Sequence, residues 1–308
     1  MAKQLVLILN PSAGLKQGKR YLADIISIFE AHDYVCLTLV TRQRGDAPRL
    51  AAQYGPAADL VVAIGGDGTF NEVISGLIAS GATCPVGYIP AGSTNDLGAS
   101  LGLSRNLLQC AQEIMEGAPS GLDVGSFSGR SFTYVASFGA FTRASYAAQQ
   151  NVKNLLGHLA YVLEGAKDLW SLHPEHVRFE TDAGDFEDDY IFGAISNSTS
   201  VGGVLTLDQS RVSLNDGKFE LLLIRMPKNL IELNQIISAI TTQNYDSEMI
   251  CFRSIRSARI LGRADMPWTL DGEYQAGAKE FLVENLHQRI QMLLPKADAA
   301  VALPGPTE

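Results

Sequence analysis

The chain has 308 residues, 46% hydrophobic and 19% charged, with a formal net charge of −9. Its length exceeds the usual single core, so two domains are expected, and the composition can fill real cores. The acidic balance offers no global field for nucleic acid or an anionic membrane, although Arg253, Arg256, Arg259 and Arg263 fall in a stretch without acidic residues and leave a local basic patch open.

In chain order, the first third alternates two periods. Residues 5–9 form an apolar run suited to a buried parallel strand, and 19–31 carry Leu22, Ile25, Ile26 and Phe29 at helical spacing. Strand 34–40, helix 46–54, strand 60–64, helix 70–79 and strand 86–89 follow, then helical stretches to about Met115. Strands alternating with helices predict a parallel α/β sheet covered on both faces. After about Ser120 the style changes. Residues 122–127 and 131–138 read as strands, 154–170 as a helix, and 177–181 with 186–196 as a strand pair. Residues 218–224, 249–261 and 280–294 are further β-rich stretches. The expected architecture is an α/β domain over 1–120 and a mainly antiparallel β domain over 121–294. An Ala/Pro-rich tail, 295–308, packs weakly or returns to the first domain.

Cys36, Cys84, Cys110 and Cys251 are scattered and form no C-x-x-C pair, which argues against a zinc knot or disulfide framework and fits reduced thiols in a cytosol. Run 5–9 is too short for a signal-peptide core, and no run approaches a membrane span. A cytoplasmic protein is expected, touching a membrane surface only during turnover if its substrate is a lipid.

Candidate chemistry concentrates at strand ends. The string GGDGTFNE at 65–72 follows one strand and opens a helix. Glycines admit an anion close to the backbone, and a helix start offers free N–H groups. Asp67 in that loop would repel phosphate unless Mg²⁺ lay between them, so the pattern predicts a metal–nucleotide complex. A tight turn capped by Asp67 or Thr69 is the plainer alternative. PAGSTND at 90–96 repeats the logic after the next strand, and an ordinary helix cap would also use these residues. NPSAG at 10–14 and TRQRGD at 41–46 follow the first two strands. Four polar, glycine-bearing loops thus fall at the carboxyl ends of four successive strands, the edge where open α/β sheets bind ligands. GLKQGKR at 14–20 is one residue short of a P-loop and has Arg20 where Ser or Thr is required. The dinucleotide pattern begun at Gly66 and Gly68 meets Asn71 where its third glycine belongs.

GGDGT with Asn71 and Glu72, the 90–96 loop and the 10–14 loop together resemble the diacylglycerol kinase catalytic-domain family, especially its soluble bacterial lipid kinases. The likeness continues in KNLLGHLAY at 153–161, NDGKFEL at 215–221 and DGE at 271–273, in the family's order over nearly the whole chain. The resemblance implies an N-terminal domain like those of NAD kinase and phosphofructokinase, and a β-sandwich-like second domain across the active site. It implies ATP as co-substrate and a diacylglycerol-type lipid as acceptor. Matched by motif, the nucleotide is expected at Asn10, Thr41, Gly65, Gly66, Asp67, Gly68, Thr69, Phe70, Asn71 and Ser93. Asp67 matches the aspartate that organises Mg²⁺. Glu273 matches the general base of the bacterial members, whereas in sphingosine-kinase relatives the equivalent of Asp67 is the proposed base. A structural Mg²⁺ is implied at the Asp216 side chain with the carbonyls of Ser213 and Lys218. The family's A-P-x-A before that loop reads LDQS here, at 207–210. A hairpin turn is the alternative for 215–217 and for 271–273. A kinase for NAD or a phosphosugar, or a nucleotide-binding regulator without turnover, would share the phosphate loops. A homodimer is left open.

Overall fold

The computed structural model describes residues 2–93, 95–139, 172–198, 200–201, 205–206, 213–245 and 247–295. The helix expected at 154–170, the 153–161 motif, residues 207–210 and the tail from 296 lie outside them.

The N-terminal part is a parallel sheet. β1 (Lys3–Leu9) lies between β2 (Tyr34–Val40) and β3 (Leu60–Gly65), and β3 pairs with β4 (Val86–Pro90), all in parallel register. Leu5 to Leu9 and Leu60 to Ile64 are buried, as strands covered on both faces must be. The covering helices are α1 (Gln17–Arg20), α2 (Leu22–Glu30), α3 (Asp46–Tyr54), α4 (Asp67–Ser80), α5 (Asp96–Ser100) and α6 (Leu107–Glu116). On α2, Ile25 and Phe29 face the core four residues apart, one helical turn. A Cβ on Gly76 of α4 would collide with the Pro48 carbonyl, so a glycine there lets α3 and α4 pack closely.

The C-terminal part is antiparallel. Its strands are β5 (Ala118–Phe127), β6 (Arg130–Phe132), β7 (Val135–Gly139), β8 (Glu175–Thr181), β9 (Gly184–Ser196), the short pair β10 (Ser200–Val201) and β11 (Leu205–Thr206), and β12 (Phe219–Arg225). Helix α7 (Leu230–Thr242) precedes β13 (Ile250–Ile255), β14 (Ser257–Leu261), β15 (Trp268–Leu270), β16 (Glu273–Gln275) and β17 (Glu280–Leu294). Alternation along β12 serves two cores. Phe219, Leu221 and Leu223 join an aromatic cluster with Phe138, Phe179 and Trp268, while Leu222 and Ile224 pack towards Leu233 and Ile236 of α7. Arg259 is ion-paired with Glu180 and Glu280 of neighbouring strands, and Arg263 with Glu175 of β8 and Asp265 of its own loop, so acidic partners neutralise half of the arginine stretch.

Two long strands join the parts. β5 and β17 pair antiparallel, and Met292 of β17 reaches Val86 of β4, so the described strands of both parts, apart from the separate pair β10 and β11, run through one sheet. Leu122, Val124, Ile290 and Met292 lie in the N-terminal core, whereas Phe127 and Val283 of the same strands lie in the aromatic core. The expected boundary at 120/121 falls inside β5. The parallel-then-antiparallel architecture read from the sequence is borne out. Helix α7 is not among the elements expected from the sequence, and the β-rich stretch over 249–261 forms two strands that part at Arg256, whose N–H donates to Asp182.

Candidate active site

β3 ends at Gly65, Gly66 is the N-cap, and α4 begins at Asp67. The first intrahelical bond runs from the Phe70 N–H to the Gly66 carbonyl, 3.1 Å. The amides of Asp67, Gly68 and Thr69 therefore come before it and project at the helix mouth. A Cβ on Gly65 would strike the Thr69 side chain, but a Cβ on Gly68 would meet nothing within 4 Å. The protein's own packing thus explains Gly65 and not Gly68. Close approach of a ligand is what a glycine at 68 would serve.

The other strand-end loops touch this one. Asn10 Nδ2 donates to Thr69 Oγ1 at 3.0 Å, and Asn10 Oδ1 accepts from the Ser12 N–H. Gly14, at φ +49°, abuts the Ala91 carbonyl. Ala91 N–H donates to the Gly65 carbonyl at 2.7 Å, and a Cβ on Gly92 would come within 2.6 Å of Gly66 Cα. Asn95 closes its loop by accepting from the Gly92 N–H and donating to the Gly92 carbonyl. Thr41 bonds the Leu9 carbonyl through its N–H, 2.9 Å, and Ser93 is exposed beside Gly92. The Phe70 ring is buried against Tyr88, with ring centroids 4.6 Å apart, and its N–H is taken up by the Gly66 carbonyl. Asn71 is also buried, and its Oδ1 has no partner among the described residues. A buried acceptor in that state invites a donor from water or a ligand.

Asp67 is held at both oxygens. The Tyr88 hydroxyl donates to Oδ1 at 3.0 Å, and the Asp96 N–H to Oδ2 at 2.8 Å. Burial pushes its carboxyl up to about 6, against those two donors; the neighbouring carboxylates of Asp96 and Asp271 add to the rise. Burial also raises Asp96.

Glu273 comes from the C-terminal part. β15 and β16 form a hairpin whose two-residue loop is Asp271 and Gly272, with φ +49° and +83°. This is the Asp-Gly turn the sequence suggested, and it also places a carboxylate. Asp271 is buried and accepts from Thr133 N–H, Thr133 Oγ1, Tyr134 N–H and Val135 N–H, all within 3.0 Å. Burial raises its carboxyl and these donors oppose the rise. With the hairpin so tethered, Glu273 Oε2 meets Arg130 of β6 at 2.7 Å and Arg44, from the loop after β2, at 3.0 Å. Arg130 also donates to the Tyr274 carbonyl and to Gln275 Oε1. Asp46 pins the Arg44 loop by accepting from the Arg42 and Gln43 N–H groups, which lower its carboxyl. Glu72, on the first turns of α4, is raised first by burial and then by the nearby Glu273 carboxylate.

Ser213, Asp216 and Lys218 gather in a different loop. Its anchor is Asp123, fully buried, which accepts from the Gly217 N–H at 2.6 Å, the Gln288 N–H and Asn285 Nδ2. Asp216 Oδ1 accepts from the Lys218 N–H, and the Lys218 carbonyl from Asn285 Nδ2. Among the described residues no three His, Cys, Asp or Glu side chains cluster as a metal group. A site here would use one carboxylate and main-chain carbonyls, hard oxygen donors of the kind Mg²⁺ takes.

The sequence reading missed Arg44, Arg130, Tyr88 and Asp123 as site residues. Arg44 and Arg130 meet Glu273 only through the fold. Tyr88 carried a local signal, a phenol in an otherwise apolar buried strand.

Comparison with known proteins identifies the family. Residues 4–127 match the model of the diacylglycerol kinase catalytic domain. A diacylglycerol kinase of Bacillus subtilis is 32% identical over 300 residues, covering 96% of this chain and 98% of that one. One from Staphylococcus epidermidis is 30% identical, covering 96% and 93%. The crystal structure of a diacylglycerol kinase from Bacillus anthracis superposes with a TM-score of 0.72 over 95% of this chain and 97% of that one, at 20% identity, a likeness of fold.

Proposed function

The chain belongs to the diacylglycerol kinase family, phosphotransferases with an alcohol acceptor, and from that premise we propose an ATP- and Mg²⁺-dependent transfer of the γ-phosphoryl group to the hydroxyl of a diacylglycerol-type lipid. The observation that carries the reading is the contact between Arg44 and Glu273. It ties the hairpin carboxylate to a loop of the same sheet edge that bears the glycine mouth of α4.

In this reading the amides at Asp67, Gly68 and Thr69 hold the phosphates, with Gly65, Gly66 and Asn10 shaping their loop. Thr41, Ser93 and the buried Asn71 acceptor serve the rest of the nucleotide, and Phe70 serves through packing. Glu273, anchored through Oε2, takes the acceptor's proton on Oε1 as the new O–P bond forms and the bond to the leaving diphosphate breaks. Asp67 is the residue that would hold Mg²⁺ near the phosphates, each of its oxygens keeping a lone pair beyond its present donor. Bound there, the ion would supply charge neutralisation on the triphosphate. A second, structural ion would sit at Asp216 with the carbonyls of Ser213 and Lys218. Among the described residues no helix is long and apolar enough to cross a membrane, so the lipid would be met at a membrane surface.

The test is an acceptor screen. With γ-labelled ATP and Mg²⁺, label is expected in diacylglycerol when it is offered beside phosphatidylglycerol, sphingosine, NAD and a sugar phosphate. Label only in another lipid would correct the acceptor. Label only in NAD or the sugar phosphate, or in none, would overturn the lipid-kinase reading.

A further inference from the structure

β4 is a buried parallel strand, and such strands are ordinarily aliphatic. Here Val86, Gly87, Ile89 and Pro90 keep to that rule and Tyr88 breaks it. The Tyr88 side chain is fully buried, and its hydroxyl would cost stability there without a partner. Its partner is Asp67 Oδ1 at 3.0 Å. The ring is fixed from the other direction by Phe70, from the first turn of the same helix that Asp67 opens. The opposite oxygen of Asp67 is fixed by the Asp96 N–H at 2.8 Å. Two donors on two different oxygens set both the rotamer and the plane of one carboxylate. They do so beside two further acidic groups, Asp96 and Asp271, whose repulsion would otherwise drive Asp67 from the mouth of α4.

We propose that Tyr88 is a positioning residue for Asp67: its hydroxyl holds that carboxylate aimed at the helix mouth, ready for a divalent cation carried by a triphosphate. This rests on the nucleotide reading above. It concerns a residue outside the glycine loops, on the strand beneath them. Tyr88 itself touches neither substrate nor metal, so its removal acts only through Asp67. A loss confined to the cation-dependent part of nucleotide binding is the consequence, because the amides of Gly68 and Thr69 are untouched.

The experiment is calorimetry of ATP binding to the full chain, with Mg²⁺ and with EDTA, for wild type, Tyr88→Phe, Asp67→Asn and the double variant. Tyr88→Phe keeps the ring and its packing on Phe70, and a thermal melt checks that the fold is kept. It is expected to weaken Mg²⁺–ATP binding about tenfold while leaving binding in EDTA unchanged. In the Asp67→Asn background the same change is expected to alter binding less than twofold. The lipid KM should stay put while the Mg²⁺ concentration for half-maximal turnover rises. If Tyr88→Phe binds Mg²⁺–ATP as wild type does, or costs as much with Asp67→Asn as without it, the positioning role is wrong and the kinase reading stands. An equal loss in EDTA would mean a structural role only. A wild-type chain that binds no Mg²⁺–ATP would remove both the reading and this inference.

Discussion

In the proposed site the two parts of the molecule would contribute in different ways. The N-terminal part offers mainly backbone, three amides at the mouth of α4 and loops whose glycines abut one another at 66 and 92, with the Asp67 carboxylate beside them. The C-terminal part offers one side chain, Glu273, held by Arg130 and by a hairpin that Asp271 ties to Thr133. A site built of amides is damaged by added atoms, and one built on a carboxylate by lost chemistry. Substitutions in the first part should therefore act on binding, and those at the hairpin on rate.

The largest expected effect tests the hairpin. Glu273→Gln keeps the size and shape of the side chain and removes the proton acceptor. It should lower kcat by about 10²–10⁴-fold with nucleotide affinity retained. A near wild-type kcat with a lipid acceptor would break the division of labour.

A pair of glycine variants sharpens the other side. Gly68→Ala adds a Cβ that meets nothing within 4 Å, so the melting temperature should hold while ATP affinity falls about tenfold or more. Gly92→Ala sets a Cβ 2.6 Å from Gly66 Cα, so it should lose both affinity and about 1–3 kcal/mol of stability. Equal melting losses in the two would show that Gly68 is packed rather than kept open.

The smallest effect is one of pH. Burial pushes the Asp67 carboxyl up to about 6 in the free protein. Below that pH the group is protonated and neutral and no longer suits a divalent cation. The kcat/KM for ATP should fall as pH drops through about 6 and be level above it, and this limb should vanish in Asp67→Asn.

The same contrast explains what the sequence disclosed. The inner parallel strands were legible because burial on both faces leaves uninterrupted apolar runs, such as those of β1 and β3. The glycine loops were legible because backbone sites carry their signature in consecutive residues. Glu273 was reachable only through a family resemblance, since Asp271 and Gly272 read locally as a turn and are one. Arg130 lies 143 positions from Glu273, and Asp123 lies 94 from Gly217, separations over which periodicity says nothing. Helix α7 was missed despite a local signal. Asn229 caps the N–H groups of Ile231 and Glu232, and Glu232 reaches back to the Lys228 N–H, a capping pattern present in the residues themselves.

In the proposed mechanism the glycine edge binds the triphosphate and the facing hairpin performs the proton transfer. Titration of a non-hydrolysable ATP analogue at saturating Mg²⁺ into wild type, Gly68→Ala and Glu273→Gln tests it most directly. One site per chain is expected in wild type and Glu273→Gln, with binding lost or strongly weakened in Gly68→Ala. No heat in wild type, or binding that survives at Gly68→Ala and fails at Glu273→Gln, would contradict it.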